Sequence, residues 1–174
     1  MLAAYLFNVS AGEKTSEANK MFEDAEVTLR SGDMEGALAQ FETMTEEYPG
    51  EKLSALAYYQ IGVIKYNSGS YDESIEALQE FIDKSGDETV IMESAILTQG
   101  LASYKKGDWQ KAVQYLSVFD NKAGSPFELQ AKEHLAKAYD QMGEKDKADT
   151  IRKQVEQQSM NPDRGFSAIS DSPN

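Results

Sequence analysis
The chain has 174 residues, enough for one or two ordinary domains, and its 40% hydrophobic and 27% charged residues make a globular composition. It holds no cysteine and one histidine, His134, which excludes disulfide scaffolds, thiolate zinc sites, cysteine nucleophiles and multi-histidine metal sites. A formal net charge of −13 disfavours nucleic acid, whose phosphates need Lys and Arg. The charge is uneven. Residues 1–100 carry 19 acids and 6 bases, whereas residues 101–174 carry 11 of each. The first half is therefore either a plain solvated surface or one that prefers cationic partners. An anionic lipid surface suits residues 13–100 poorly.

Residues 1–9 read MLAAYLFNV, an uncharged apolar run. It is shorter than the roughly 20 residues that span a bilayer, and it lacks the basic start of a signal peptide. Two readings stay open for this stub, residues 1–13. It is the remnant of a longer membrane anchor or signal, with Val9-Ser10-Ala11 resembling a small-residue cleavage site, or it is the first turns of a helix that docks on the core.

From residue 14 onward the chain is periodic. Four turns recur: Ser31-Gly32-Asp33-Met34, Ser68-Gly69-Ser70-Tyr71, Lys106-Gly107-Asp108-Trp109 and Met142-Gly143-Glu144-Lys145. Their glycines are 37, 38 and 36 residues apart. Glycine suits the left-handed position that ends a helix. Asp33, Ser70 and Asp108 suit the N-cap of the next helix. Ser70 with Glu73, and Ser125 with Glu128 behind Pro126, have the spacing of capping boxes. Pro49-Gly50, Ser85-Gly86-Asp87 and Ala123-Gly124-Ser125 close the intervening helices. The pattern predicts eight helices, near 14–31, 34–48, 51–68, 71–84, 87–106, 109–120, 126–142 and 144–158, and no strand.

Superposed on their glycines, the units repeat small residues in the first helix (Ala25, Gly62, Gly100, Ala136) and in the second (Ala37, Ser74, Ala112, Ala148). Large apolar residues follow each turn at Met34, Tyr71 and Trp109. Others recur later, at Phe41, Leu78 and Leu116, then at Met44, Phe81, Phe119 and Val155. Each helix thus carries one apolar stripe that it cannot bury alone, so neighbours must stack.

This arrangement resembles the tetratricopeptide repeat (TPR). Tyr58-x-x-Ile61-Gly62 stands in for that family's bulky-x-x-Leu-Gly run, small and aromatic positions follow in the second helix, and Pro49 closes the first unit. The resemblance covers residues 14–158, as units near 14–50, 51–86, 87–124 and 125–158. It implies an all-α, right-handed α-solenoid of about four helix-turn-helix units. The units exceed the family's usual period of about 34, a stretch that resembles bacterial cell-envelope members. Asp24 and Thr28 depart from apolar positions in unit one. Lys132, Lys145 and Arg152 do so in unit four, which reads as a polar cap that ends the stack in water. Residues 159–174 have no period and read as an irregular tail, or as a strap held by Phe166 and Ile169.

The resemblance also implies a concave face lined by first helices. Phasing puts Phe22, Glu26 and Leu29 there from unit one, Tyr59, Val63 and Tyr66 from unit two, and Leu97, Leu101 and Tyr104 from unit three. Unit four adds Glu133, Lys137 and Asp140. Aromatic side chains give large contact area at little entropic cost and suit protein anchors. Some of them are equally suited to packing between helices. Members of the family that bind C-terminal carboxylates carry a basic clamp in this groove. Here Lys65 and Lys105 are the only bases nearby, so an apolar or amphipathic segment fits better than an acidic tail.

Catalysis has no visible constellation. The glycines sit singly, with no phosphate loop. His134 has no Ser or Cys partner at a recognisable spacing, and Asp72-Glu73-Glu76 reads as a solvated helix face. Ser85-Gly86-Asp87-Glu88 lacks the ligand pattern of a calcium loop. Trp109 sits at a repeated packing position. The expectation is a non-catalytic scaffold without cofactor or metal that binds a protein or peptide segment, in bacterial envelope assembly or translocation. The alternative is a self-associating module whose groove holds its own or a neighbour's N-terminal segment. The expected compartment is the periplasm or cell envelope, with the cytoplasm left open.

Overall fold
The computed structural model describes residues 2–86 and 90–160, with side chains at 14–86, 90–120 and 122–160. Eight α-helices follow in order: α1 Leu2–Arg30, α2 Met34–Glu47, α3 Lys52–Asn67, α4 Tyr71–Ser85, α5 Val90–Lys106, α6 Trp109–Leu116, α7 Glu128–Gln141 and α8 Lys145–Met160. A 3-10 segment, Ser117–Asn121, continues α6. Among the described residues there is no strand, and no helix is long and apolar enough to cross a membrane. The chain divides into two compact units, Met1–Asp87 and Glu88–Asn174. Each consists of two antiparallel hairpins that pack in chain order, α1 to α4 in the first and α5 to α8 in the second.

The turns work as their residues dictate. Gly32, Gly69, Gly107 and Gly143 have φ of 91°, 84°, 87° and 77°, where a side chain would be strained. Asp33 caps α2 by accepting from the Gly36 N–H at 2.8 Å, and Asp108 caps α6 by accepting from the Lys111 N–H at 3.1 Å. The two expected capping boxes do not form. Ser70 is the N-cap of α4 but makes no side-chain cap bond, and Glu73 instead pairs with Lys65 at 2.7 Å. Ser125 donates to Glu93 Oε2 at 2.7 Å, and Glu128 turns inward to Lys132. Ser125 also accepts from the Phe127 N–H at 3.2 Å, so it holds the turn without the reciprocal Glu128 bond, and α7 begins at Glu128 rather than near 126. The sixth helix ends early as well. Its last turn tightens to three residues per turn, which aligns Leu116 and Phe119 on one line, both fully buried.

Each unit has its own core. In the first, Phe41, Met44, Ile61 and Ile64 pack among Ala18, Ala25, Ala37 and Ala57. In the second, Leu97, Leu116, Phe119, Leu135 and Ile151 pack among Ala112, Ala131 and Ala138. The repeated small residues set the spacing inside a hairpin. A Cβ at Gly62 would lie 2.5 Å from Leu78 Cγ, and one at Gly100 would lie 2.6 Å from Leu116 Cδ2. The same close contact thus recurs once per unit. Ser74 adds a buried hydrogen bond, donating to the Gly62 carbonyl at 2.7 Å.

Unit four carries a charged pair in its interior. Lys132 was expected to face water, but it is 6% exposed and donates to Glu128 Oε1 at 2.7 Å. Gln158 of α8 donates to the other Glu128 oxygen at 3.0 Å, so the pair ties α8 to α7. The desolvation of two charges is offset by this mutual pairing, which makes the pair a constraint on register more than a source of stability. Arg152 stays on the surface and pairs with Asp140 and Asp149, and Lys145 is exposed. The suggested strap through Phe166 and Ile169 lies outside the described residues.

Two predictions follow from packing and charge. A helix-interior Gly→Ala change normally gains about 1 kcal/mol. Gly62→Ala and Gly100→Ala should instead lose about 1–2 kcal/mol in urea unfolding, because the added methyl overpacks against a leucine. The second concerns Asp120, whose Oδ1 is buried without a hydrogen-bond partner among the described residues. Burial raises its carboxyl above the ordinary 3.8; Lys132 opposes the rise and Glu128 adds to it. Below 3.8 both folded and unfolded chains hold this proton. Above it the unfolded chain releases the proton first, so this contribution to stability is lost as pH rises through the folded value. Asp120→Asn should stabilise the protein at about pH 7 and abolish the loss of stability that accompanies the rise of pH from 3.8 through the folded value.

Candidate functional site
The residues expected on the first-helix face divide between the two units. In the first unit, Phe22, Glu26 and Leu29 lie on α1, and Tyr59, Val63 and Tyr66 lie on α3, its neighbour. All six are half-buried. Phe22 stacks on Phe41 of α2 with ring centroids 5.5 Å apart, and Tyr59 on Phe81 of α4 at 5.4 Å. Both rings therefore help to close their own hairpins. Leu29 packs against the first core. Glu26 is a bridge, accepting from Gln60 of α3 and pairing with Arg30 at 3.1 Å.

In the second unit Leu97 is 5% exposed and belongs to the core, so it offers no surface to a partner. Leu101 and Tyr104 are half-buried against that core. Glu133 and Lys137 of α7 are exposed, and Asp140 is half-buried. His134 is half-buried, 5.9 Å edge-on from Tyr104, with Nδ1 3.0 Å from the Gln130 carbonyl.

What the two units share is an aromatic pair beside the glycine turn. Tyr66 and Tyr71 lie 5.9 Å apart in the first unit, and Tyr104 and Trp109 lie 5.2 Å apart in the second. All four rings are half-buried, each pair bridging the end of one helix and the start of the next. The glycine lets the chain reverse tightly enough for the two rings to meet. Burial raises the Tyr66 hydroxyl above its ordinary 10.0, and the nearby Tyr71 adds to the rise, so it is a neutral donor at physiological pH.

Lys65 lies near the first-helix face in sequence but turns away from it. It pairs with Glu42 of α2 at 3.4 Å and Glu73 of α4 at 2.7 Å. These carboxylates raise its ammonium above the ordinary 10.5, Glu73 most strongly. Around this lysine lies a cleft of about 630 Å³ between the second helices of the first unit. Phasing each helix by its buried stripe, as sequence reasoning did, treats the opposite side as solvent and misses such a cleft. The signal that was present is the crowding of acids into α2 and α4. Among the described residues no group of acidic, His or Cys side chains has the form of a metal site.

Comparison with known proteins places the architecture. Two tetratricopeptide repeat family models match, one over residues 55–83 and one over residues 94–122. These segments are α3–α4 and α5–α6 with the 3-10 segment. No curated protein matches the chain. Among solved structures, one of MamA aligns with TM-score 0.71 at 20% identity, covering 93% of this chain and 88% of that one. A second MamA structure aligns at 0.54 and 18% identity, covering 93% and 100%. A Podosopora anserina putative kinesin light chain with nearly identical TPR-like repeats aligns at 0.64 and 17%, covering 90% and 78%. The chain thus carries two segments that match the tetratricopeptide repeat, at residues 55–83 and 94–122, within the all-α fold of its structural neighbours.

Proposed function
We propose that the chain is a non-catalytic scaffold that holds an apolar or amphipathic segment of a partner protein on its first-helix side. Tetratricopeptide repeats and neighbours of that fold support the scaffold role. The observation that carries the choice of surface is the half-buried aromatic pair repeated in both units, Tyr66 with Tyr71 and Tyr104 with Trp109. Rings that are half covered by their own hairpin are rigid yet still have area to give, which is what a protein anchor requires. Val63 and Leu101, one helical turn before each tyrosine, extend the apolar area. The stretched repeat length is what supports a place in bacterial envelope assembly or translocation.

The second reading is self-association through the N-terminal segment. Its support is that α1, at 29 residues, continues through the uncharged residues 2–9, well before the first hairpin needs it. Light scattering over a concentration series separates the two, since a constant monomer mass removes self-association.

Capture from cells that make the protein, with the wild type against Tyr66→Ala plus Tyr104→Ala, tests the first reading. A partner held by the wild type and lost by a folded double variant supports it. Equal retention rejects this surface. Trp109, the only tryptophan, gives an internal check on the geometry. Removing the ring that covers it, in Tyr104→Ala, should shift its emission to the red while helicity is unchanged.

A further inference from the structure
The cleft between α2 and α4 has a built shape. Its floor comes from α3 and α4, with Ile61 and Ala77 almost fully buried and Tyr58 half-buried. Its two walls are helix ridges. Glu42 and Glu46 stand one turn apart on α2, and Glu73, Glu76 and Glu80 stand at i, i+3 and i+7 on α4. Two parallel carboxylate ridges thus flank an apolar strip. This arrangement is the complement of one ligand form: a helix with an apolar stripe bordered on both sides by Lys or Arg.

The chain's own cations show how the walls treat an ammonium group. Lys65 sits between the ridges, held by Glu42 and Glu73. Lys84 pairs with Glu80 at 3.1 Å and lies 5.5 Å from the centre of the Tyr58 ring. Each ammonium is thus met by a carboxylate, and one also by an aromatic face. Five glutamates against Lys65 and Lys84 leave the cleft net negative, in the half of the chain that carries the whole net charge.

We propose that this cleft is a second docking surface, separate from the aromatic pairs, and that its occupant is a basic amphipathic helix of a partner protein. The apolar stripe lies on Ile61, Ala77 and Tyr58. Flanking lysines reach the two glutamate ridges, and Lys65 exchanges one of its carboxylates for solvent or for the ligand.

The test uses the full chain and a synthetic helical peptide of about 16 residues with a leucine stripe bordered by lysines. Fluorescence anisotropy should show saturable binding that weakens as salt rises from about 0.05 to about 0.5 M. Glu73→Gln with Glu76→Gln and Glu80→Gln should weaken it about tenfold or more. Glu133→Gln with Glu144→Gln and Glu156→Gln removes the same charge from the other unit and should change it by less than about twofold. The Ile61 methyl resonance of the wild type should shift on titration, a readout that needs no variant to fold. Equal weakening in both triple variants overturns the proposal in favour of bulk charge. So does tight binding of a peptide with glutamates in place of the lysines, or shifts at Val63 and Leu29 without Ile61. Absence of saturable binding overturns it outright and leaves the reading of the aromatic pairs untouched, whereas shifts at Val63 and Leu29 alone would move the peptide to that surface.

Discussion
The structure depends on how closely two helices approach inside one hairpin. Gly62 lies against Leu78 and Gly100 against Leu116, at distances that leave no room for a methyl group. The approach lets a leucine from the second helix fill the hairpin, and both leucines are fully buried. It also sets the inclination at which the next helix must pack. Ala25 and Ala136, at the matching places of α1 and α7, are nearly or fully buried. A wider hairpin would lose the aromatic pairs, because Tyr66 and Tyr104 meet their partners only across a tight turn.

Two kinds of surface follow from that geometry. First helices keep large rings half covered, because the turn brings a second ring against them. Second helices turn their leucine and phenylalanine inward, and in the first unit they leave acidic ridges outside with a cleft between. One surface is apolar with rigid rings, and the other is charged over an apolar floor. The two surfaces differ in chemistry, so a segment suited to one is poorly suited to the other.

Much of the fold was legible because the signals were local. Glycines at fixed spacing, Asp33 and Asp108 at caps and small residues at matching places all act over a few residues, and each appears in the structure where the repeat puts it. What was not legible depended on distant partners. Ser125 and Glu128 have the spacing of a capping box, but Glu93 and Lys132 engage them first. Glu128 stands four residues before Lys132, the spacing of an ordinary surface ion pair, and what sequence does not show is that Gln158 of α8 closes over it and buries both charges. Leu97 and Lys65 were placed near the first-helix face by phase. The core takes the leucine, and two glutamates from flanking helices take the lysine. Side-chain phase on a helix is known from sequence to within about a third of a turn, and a long side chain can choose either neighbour.

The strictly sequential packing of the helices has a kinetic meaning. Within each unit every helix touches the one before it and the one after, and beyond that only first helices meet, α1 with α3 and α5 with α7. Forming the native contacts therefore closes short loops, whose entropic cost is small. Chains dominated by such local contacts fold fast and can begin at any hairpin. The same property means that, among the described residues, each hairpin is held by its sequence neighbours. An end hairpin can open and close while its neighbour stays folded. The Glu128–Lys132–Gln158 cluster joins α7 to α8 within one hairpin. Its buried ions act there on register, since α8 closes on α7 only where Gln158 meets Glu128.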